Sequence, residues 1–288
     1  MSTDAVLYDH PGPRAKVRNG ILTVVFGIAL LALLYWVYLK FDEKGQWAAA
    51  LWEPFTESST WTDYLLPGLW KTVSAAAVAM VLSLIFGLIF SVGRLSDHRW
   101  LSVPAGMVVE FFRAVPLLLL MFFIFYGIPF ITESPMPPFW AVVAGLTLYN
   151  GSVLAEAFRA GIRAVPSGQS EAGYAIGLRK SQVMQEILMP QAARAMLPVI
   201  VSQLVVLVKD TALGYIIGYP ELLQSVNNLA ANFGNIVAAA IVAAIMYIAV
   251  NASLTSFAAW LERRTRRTGK APKASGPVPV AAVEPIGD

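Results

Sequence analysis

Long apolar runs, separated by shorter polar segments, dominate the chain. A helix of about 20 apolar residues crosses a hydrocarbon core of about 30 Å, and the runs have that length. They lack the two-residue alternation of a barrel strand, and backbone groups in lipid must pair within the segment, so helices are required. The pattern predicts an all-α membrane protein with six transmembrane helices, at residues 21–39, 69–93, 103–127, 138–160, 195–217 and 236–260.

The composition agrees with this assignment and excludes several kinds of site. Apolar residues make up 57% of the chain and charged residues only 14%, whereas about a quarter of a soluble protein is charged. There is no cysteine, which excludes disulfides, thiolate metal sites and cysteine nucleophiles. Both histidines, His10 and His98, lie outside the predicted spans, and no HExxH or GxSxG motif occurs. We therefore predict no metal, cofactor or catalytic residue, and no enzyme activity.

The distribution of basic residues predicts the orientation. Sixteen of the 21 Lys and Arg residues fall in alternate segments between spans, and basic segments stay on the cytoplasmic side. Both termini are then cytoplasmic, and the net charge of +3 needs no nucleic-acid partner. This orientation divides the chain into a cytoplasmic arm (1–20), the first span (21–39) and an extracytoplasmic amphipathic segment (40–67). A core of five spans (68–260) with a cytoplasmic loop (161–194) follows, and then a disordered basic tail (261–288) near anionic lipid. A substrate-contacting lid is the alternative for 40–67.

The loop 161–194 is too polar to span and too apolar to be a solvated linker, so short surface helices are predicted. Pro166 sets a turn before the first helix, and Gly177 can take the left-handed conformation that ends it. Ser181 is then available to cap a second helix, which reaches Pro190. Two helices joined at a glycine form a projecting knob, a natural docking element for a soluble partner.

The same loop resembles the EAA signature of ABC importer permeases, which reads EAA, three residues, G, nine residues, I-x-L-P. Every spacing is kept, although glycine replaces the third alanine and Met189 replaces the leucine before proline. In that family the loop is the coupling helix, which lies in a groove of the ATP-hydrolysing subunit. The resemblance implies an ATPase-coupling role for Glu171, Ala172, Gly173, Gly177, Ile187 and Pro190.

Other segments resemble the polar-amino-acid subfamily of these permeases. They read "VVEFFRAVPLLLLMFFIFYG", "NGSVLAEAFRAGIRAVPSGQSEA" and "VVLVKDTALGYIIG". The opening of the chain is most similar to glutamate-uptake permeases of high-GC Gram-positive bacteria. The resemblance implies a type I importer permease of the cell membrane that moves an amino acid by alternating access. Its partners would be ATPase subunits, a second and non-identical permease, and an extracytoplasmic amino-acid-binding protein.

No G-x-x-x-x-G-K-[ST] motif occurs, so the chain cannot hold ATP phosphates itself and must rely on a separate ATPase. The alternative is an ATP-independent secondary transporter or channel, which buried charges and kinked helices would also suit. The knob argues against that alternative.

Charged residues inside the predicted spans are the candidates for a substrate pathway. Each costs at least about 2.5–3.5 kcal/mol on insertion scales unless it has a partner or a wet cavity. Arg113 is the first candidate to bind a substrate carboxylate. In the alternative interpretation these charges only neutralise each other, Glu110 with Arg113 one turn away and Lys209 with Asp210 or another helix.

Three further polar residues lie in the fourth predicted span. Glu156 and Arg159 have the spacing of a pair near the cytoplasmic end of the fourth span, where they would brace the knob, and Asn150 fits either role. The candidate pathway residues are Arg113, Glu110, Asn150, Glu156, Lys209 and Asp210.

Overall fold

A computed structural model describes residues 12–268, and over this range it contains helices and no strand. Within this range, five π-helical or 3-10 turns continue or join the helices. The helices are α1 (Pro13–Glu43), α2 (Ala49–Trp52), α3 (Leu66–Arg94), α4 (Arg99–Ala114), α5 (Leu117–Phe122), α6 (Ile128–Thr132), α7 (Pro138–Arg163), α8 (Ser167–Ala175), α9 (Lys180–Gln182), α10 (Met189–Asp210), α11 (Leu222–Phe233) and α12 (Ile236–Thr268).

Five helical segments of the described range are long and apolar enough to cross a membrane, and a bent pair supplies the sixth span if it is counted as one. The bent pair is 99–114 with 117–132, which meet at 101°. The prediction of one continuous helix over 103–127, with Pro116 as a tolerable kink, is therefore wrong. Val115 precedes Pro116 and adopts extended backbone (ψ 127°), because a residue before proline is disfavoured in the helical region.

The parallel helices α3 and α7 form the centre of the bundle and are its most extensively packed pair. They approach closely because glycines face each other across the contact. A Cβ on Gly87 would lie 3.0 Å from Leu154 Cβ, and one on Gly151 would lie 2.8 Å from Phe86 Cδ1. The fully buried Leu146 belongs to the same core, which α5, α10 and α12 complete.

Helix α1 stands apart from this core. None of its residues is buried against the other described helices, and apolar side chains are exposed all around it. A helix that is apolar on every side suits a lipid environment rather than one protein contact. It begins at Pro13, inside the predicted arm 1–20, whose residues 1–11 lie outside the described range.

The last helix, α12, is longer than the predicted span 236–260. It continues to Thr268, so the first part of the predicted disordered tail 261–288 is helical. Residues 269–288 of that tail lie outside the described range.

The predicted amphipathic segment 40–67 forms a folded cap at the end of the bundle opposite the knob, here called the outer end. It contains α2, a 3-10 turn (Glu53–Thr56) and a π-helical turn (Thr60–Leu65). These pack with α11, a helix that the apolar pattern did not predict because its 12 residues are short and amphipathic. Their shared core contains Leu65, Leu222 and Leu229, all with 0% exposure. The segment is thus packed into the fold at Pro54, Thr60 and Leu65, while most of its other residues stay exposed or half-buried.

Glu221 fixes the start of α11 from inside this cap. Its side chain is completely buried and accepts hydrogen bonds from Leu223 N (2.8 Å), Gln224 N (2.9 Å) and Tyr247 Oη (2.8 Å). Leu222 N donates to Thr72 Oγ1 of α3 at 3.1 Å. The carboxylate satisfies the free N–H groups of the helix start and links α11 to α12.

Candidate functional site

The knob, residues 167–190, has the glycine elbow that the sequence predicts. Gly177 has φ 85°, in the left-handed region. Gly177 N donates to Tyr174 O at 2.9 Å, and Leu178 N donates to Gly173 O at 3.1 Å. These two bonds satisfy the last carbonyls of α8 and turn the chain toward α9. The prediction of a left-handed turn at Gly177 is confirmed.

The two halves of the EAA-like motif pack against each other. Gly173 is buried, and a Cβ at this position would lie 2.8 Å from Ile187 Cδ1 and 2.9 Å from Val183 Cγ2. This proximity explains why glycine stands where the family has alanine. Glu171 lies on the exposed side of the knob, and Ile176 is 77% exposed beside the elbow. Of the motif residues, Gly173 is therefore buried and Ile187 half-buried, and the others are exposed: Glu171, Ala172, Gly177 and Pro190.

The knob's second helix differs from the prediction at both ends. Its N-cap is Arg179, whose N–H donates to Gln182 Oε1 at 2.9 Å, so Ser181 is not the cap. The helix does not end at Pro190 but continues through a π-helical turn (Val183–Leu188) into α10. Pro190 has no N–H to donate inside this continuous helix, and it stands directly after the π-helical turn, where the regular hydrogen-bond ladder is already interrupted. One helical rod, 180–217, thus joins the knob to a span.

Two hydrogen-bonded side chains also connect the knob to the bundle. Gln191 Nε2 donates to Gln169 Oε1 at 3.3 Å, which ties α8 to α10. Lys180, the first residue of α9, forms an ion pair with Asp97 in the turn between α3 and α4. The hydrogen bond and charge of Lys180 lower the pKa of Asp97 below its ordinary value. The knob therefore contacts the α3–α4 turn as well as α10.

The predicted neutralising pair of α4 is present. Arg113 Nη1 lies 3.5 Å from Glu110 Oε2, and the Arg113 side chain is 38% exposed. Sequence reasoning missed the second cation at Glu110, Arg94 of α3, whose Nη2 lies 3.2 Å from Glu110 Oε1. Hydropathy reasoning placed Arg94 in a cytoplasmic loop, so nothing marked it as a partner of a span residue.

Glu156 and Arg159 of α7 are also in contact, as their spacing predicts. Arg94 joins them to α4, because its Nη1 lies 2.8 Å from Glu156 Oε2. Asn150 has no exposed surface. Its Nδ2 donates to Leu146 O at 3.1 Å, and its Oδ1 accepts from Gln203 of α10. Asn150 therefore links α7 to α10, and Gln203 is a partner that sequence reasoning missed.

Lys209 and Asp210 lie at the end of α10, away from these charges. In the described range no ion pair within 4.0 Å joins them to each other or to Glu110 and Arg113. A direct ion pair of Lys209 with Asp210 is therefore not seen, and neutralisation of these charges stays a prediction. Lys209 is exposed and Asp210 is partly buried. The structure does not gather the six candidate pathway residues into one cluster.

Comparison with known proteins identifies the class. Residues 79–267 match the family described as "Binding-protein-dependent transport system inner membrane component". The chain is 45% identical over 232 residues to "Glutamate transport system permease protein GluD" of Corynebacterium glutamicum, covering 80% of this chain and 85% of the relative. It is 37% identical over 204 residues to "Probable glutamine ABC transporter permease protein GlnP" of Bacillus subtilis, covering 70% and 93%.

Comparison with solved structures supports the same class of protein. "Crystal structure of an amino acid ABC transporter with histidines" matches with a TM-score of 0.65 at 26% identity, over 69% of this chain and 92% of that one. An inward-facing MetNI methionine ABC transporter matches with a TM-score of 0.63 at 19% identity, over 72% and 99%, and supports the fold alone. The chain belongs to the family of binding-protein-dependent transport system inner membrane components.

Several predictions are thereby confirmed. The chain has the type I ABC importer permease fold and is a multi-pass permease subunit of the cell membrane. It is not itself an enzyme, since ATP hydrolysis belongs to a separate subunit. The family implies two kinds of partner, an ATPase and a substrate-binding protein. The ATP-independent alternative is not favoured.

Proposed function

We propose that the chain is the permease of an ATP-driven importer of glutamate, in which it pairs with a second, non-identical permease. The observation that carries the proposal is the knob, which presents Glu171 and the Gly177 elbow and runs without a break into α10. The 45% identity to a glutamate permease supports the substrate. Similarity of the chain's opening to glutamate-uptake permeases of high-GC Gram-positive bacteria supports the non-identical partner.

The knob is suited to transmit motion from an ATPase. Its exposed surface around Glu171 and Ile176 fits a groove, and its buried surface holds Gly173 against Ile187. Because the helix continues through Pro190 into the span, a displacement of the knob moves α10 instead of being absorbed by a hinge. Rocking of α10 against its neighbours would open the pathway to one side and then the other, as alternating access requires.

Arg113 and Lys209 are the pathway cations most available to an acidic substrate. The Arg113 side chain is 38% exposed, lies next to the 101° bend, and has a single 3.5 Å contact with Glu110. A substrate carboxylate would compete for its guanidinium through charge-assisted hydrogen bonds. Lys209 is exposed and is joined by no ion pair within 4.0 Å to the described residues. Glu110, Asn150, Glu156 and Asp210 would line or support this route.

The experiment is uptake of labelled glutamate by cells that express the complete transporter. The test variant combines Glu171→Ala with Gly177→Val, because a β-branched residue at φ 85° is strained by about 1–2 kcal/mol or more. The control is Gly168→Ala, also in the knob, where a Cβ meets nothing within 4 Å. We expect loss of uptake in the test variant at normal membrane levels, and near-normal uptake in the control.

Each part of the proposal has its own contrary result. Uptake that persists after ATP depletion would reject the importer in favour of an autonomous transporter. Full uptake by the double variant would reject the coupling role of the knob. Stronger competition by unlabelled glutamine or arginine than by unlabelled glutamate would reject glutamate as the substrate.

A further inference from the structure

Five charged side chains from three membrane helices form one continuous series of contacts near the knob. The series alternates in sign, from α4 through α3 to α7. Arg113 Nη1 lies 3.5 Å from Glu110 Oε2 at one end of the series. In the middle, Arg94 Nη2 lies 3.2 Å from Glu110 Oε1, and Arg94 Nη1 lies 2.8 Å from Glu156 Oε2. In order, the members are Arg113, Glu110, Arg94, Glu156 and Arg159.

Arg94 is the hub of this series. It is the last residue of α3, and its two terminal nitrogens contact carboxylates on two different helices, Glu110 of α4 and Glu156 of α7. Its side chain is only 15% exposed, the lowest value among the five. Gly106 of α4 lies beside it, and a Cβ there would be in ordinary contact with Arg94 Nε at 3.9 Å. Its Nη2 donates a hydrogen bond to Glu110 Oε1, whereas its Nη1 meets Glu156 Oε2 as an ion pair without hydrogen-bond geometry. A lysine ammonium is a single point charge and does not present two separate terminal nitrogens.

The hub lies one short turn away from the knob. Leu95 N donates to Ser91 O and Ser96 N donates to Gly93 O, so the chain leaves α3 in a tight turn that leads to Asp97. Asp97 forms the ion pair with Lys180 of the knob. The knob therefore contacts the very turn that carries the hub, in addition to its direct continuation into α10.

The side chains of the series differ in exposure. Glu110 is 59% exposed and Glu156 is 25% exposed, whereas Arg94 is 15% exposed, so Arg94 is the most enclosed of the three. A charge enclosed between helices loses more when a partner is removed than a fully exposed charge does. Apolar packing holds α3 against α7, and the hub adds charged contacts from the end of α3 to both α4 and α7.

We infer that Arg94 is a positioning residue that fastens α4 and α7 to the end of α3, so that displacement of the knob moves the three helices as one unit. This inference rests on the proposed function, because it assumes that the knob receives motion from an ATPase. Without the hub, α10 would still follow the knob, while α4 and α7 would follow it incompletely. ATP would then be hydrolysed with less transport.

The test uses the complete transporter in proteoliposomes, with uptake and ATP hydrolysis measured on the same vesicles. The variants are Arg94→Met, which removes the hub, and Arg94→Lys, which keeps its charge but not its fork. Glu110→Gln and Glu156→Gln each remove one of the two carboxylates that contact Arg94, with little change in side-chain shape. The matched control is Arg99→Met, five residues away at the same end of the bundle, exposed and without an ion pair among the described residues.

We expect Arg94→Met to lower the number of substrate molecules moved per ATP by about two- to thirtyfold, the range for mutations within a coupling network. Arg94→Lys and the two glutamine variants should give intermediate losses, and Arg99→Met should match the unmodified protein. A purely structural role would lower assembly, ATP hydrolysis and uptake together and leave their ratio unchanged.

Two failures can be told apart. If the unmodified transporter shows no ATP-dependent uptake, the proposed function itself is rejected. If it transports normally while Arg94→Met and both glutamine variants keep the normal ratio of transport to ATP, only the role of Arg94 is rejected. Should Arg94→Met fail to assemble, the ratio measured for Glu110→Gln and Glu156→Gln decides the question alone.

Discussion

The two ends of the bundle are held by different kinds of polar contact. At the outer end the completely buried carboxylate of Glu221 accepts hydrogen bonds from two backbone N–H groups and a tyrosine hydroxyl. At the knob end charged side chains form partly exposed ion pairs. The outer contacts are directional and enclosed, so each has a single good geometry. The inner contacts join long side chains of three helices, with Arg94, which is 15% exposed, at their centre.

The difference indicates which end of the molecule is built to move. Buried hydrogen bonds are costly to break, because a group left unpaired keeps its full desolvation penalty. The charged contacts at the knob end join side chains of α3, α4 and α7, so these helices can be displaced together while the contacts persist. We therefore expect the outer cap to behave as a fixed support and the knob end to adjust during transport.

The largest effect on stability is expected at Glu221. Replacement by leucine leaves Leu223 N, Gln224 N and Tyr247 Oη without their acceptor, and should lower the free energy of unfolding by about 2–4 kcal/mol. Thermal unfolding of the detergent-purified protein, followed by tryptophan fluorescence, measures this. Glu53→Leu, at an exposed position of the same cap, is the control. Equal midpoints for the two variants would show that the cap is not held through Glu221.

A smaller effect on stability is expected when one methyl group is added at each end of the bundle. A Cβ on Gly68 would lie 2.5 Å from Ser225 Oγ, 2.8 Å from Ser225 Cβ and 3.1 Å from Leu222 Cα, so α11 must shift. Gly68→Ala should destabilise by about 1–3 kcal/mol. Gly106→Ala, at the knob end, meets only Arg94 Nε at 3.9 Å and should be neutral or stabilising by up to about 1 kcal/mol.

The same unfolding measurement decides this pair. We expect the two substitutions to change the stability in opposite directions, or at least that Gly68→Ala alone clearly lowers it. Destabilisation of the same size by Gly106→Ala would mean that the knob end is packed as tightly as the outer cap.

The smallest effect is expected for the exposed pair of Asp97 and Lys180. Lys180 lowers the pKa of Asp97, so the folded state favours the ionised carboxylate more than the unfolded state does. The pair's contribution is present above the ordinary aspartate pKa of about 3.9 and is lost as pH falls through the lowered value. Asp97→Asn should reduce the unfolding midpoint slightly at pH 7. At a pH below the lowered pKa its midpoint should equal that of the unmodified protein.

A difference between the two proteins that persists unchanged at acid pH would contradict this assignment. High salt offers an independent check, because screening weakens an exposed ion pair but leaves the buried bonds of Glu221 almost untouched.

Much of the architecture could be predicted because its signals are local. Apolar length identified the membrane segments, and the elbow at Gly177 followed from the glycine and its flanking helices. The pair of Glu110 with Arg113 followed from helical spacing. The break at Pro116 was visible as a proline, but its 101° angle depends on how α4 and α5 pack on neighbouring helices.

The remaining contacts join residues that are distant in the chain. Arg94 and Glu110 are 16 residues apart, and Asn150 and Gln203 are 53 apart. No periodicity relates such positions. Glu221 had no signal either, because a short polar stretch between two spans looks like a loop until α11 is seen to pack there.

By itself, the sequence determined that this chain is a helical membrane protein with a knob of the importer-permease type, since hydropathy, basic-residue distribution and motif spacing act along the chain. The tertiary structure alone decided that the knob continues through Pro190 into α10, and that Arg94 joins three helices. It also decided that Glu221 closes the outer cap. These features depend on which helices lie side by side, and packing rather than local pattern selects those neighbours.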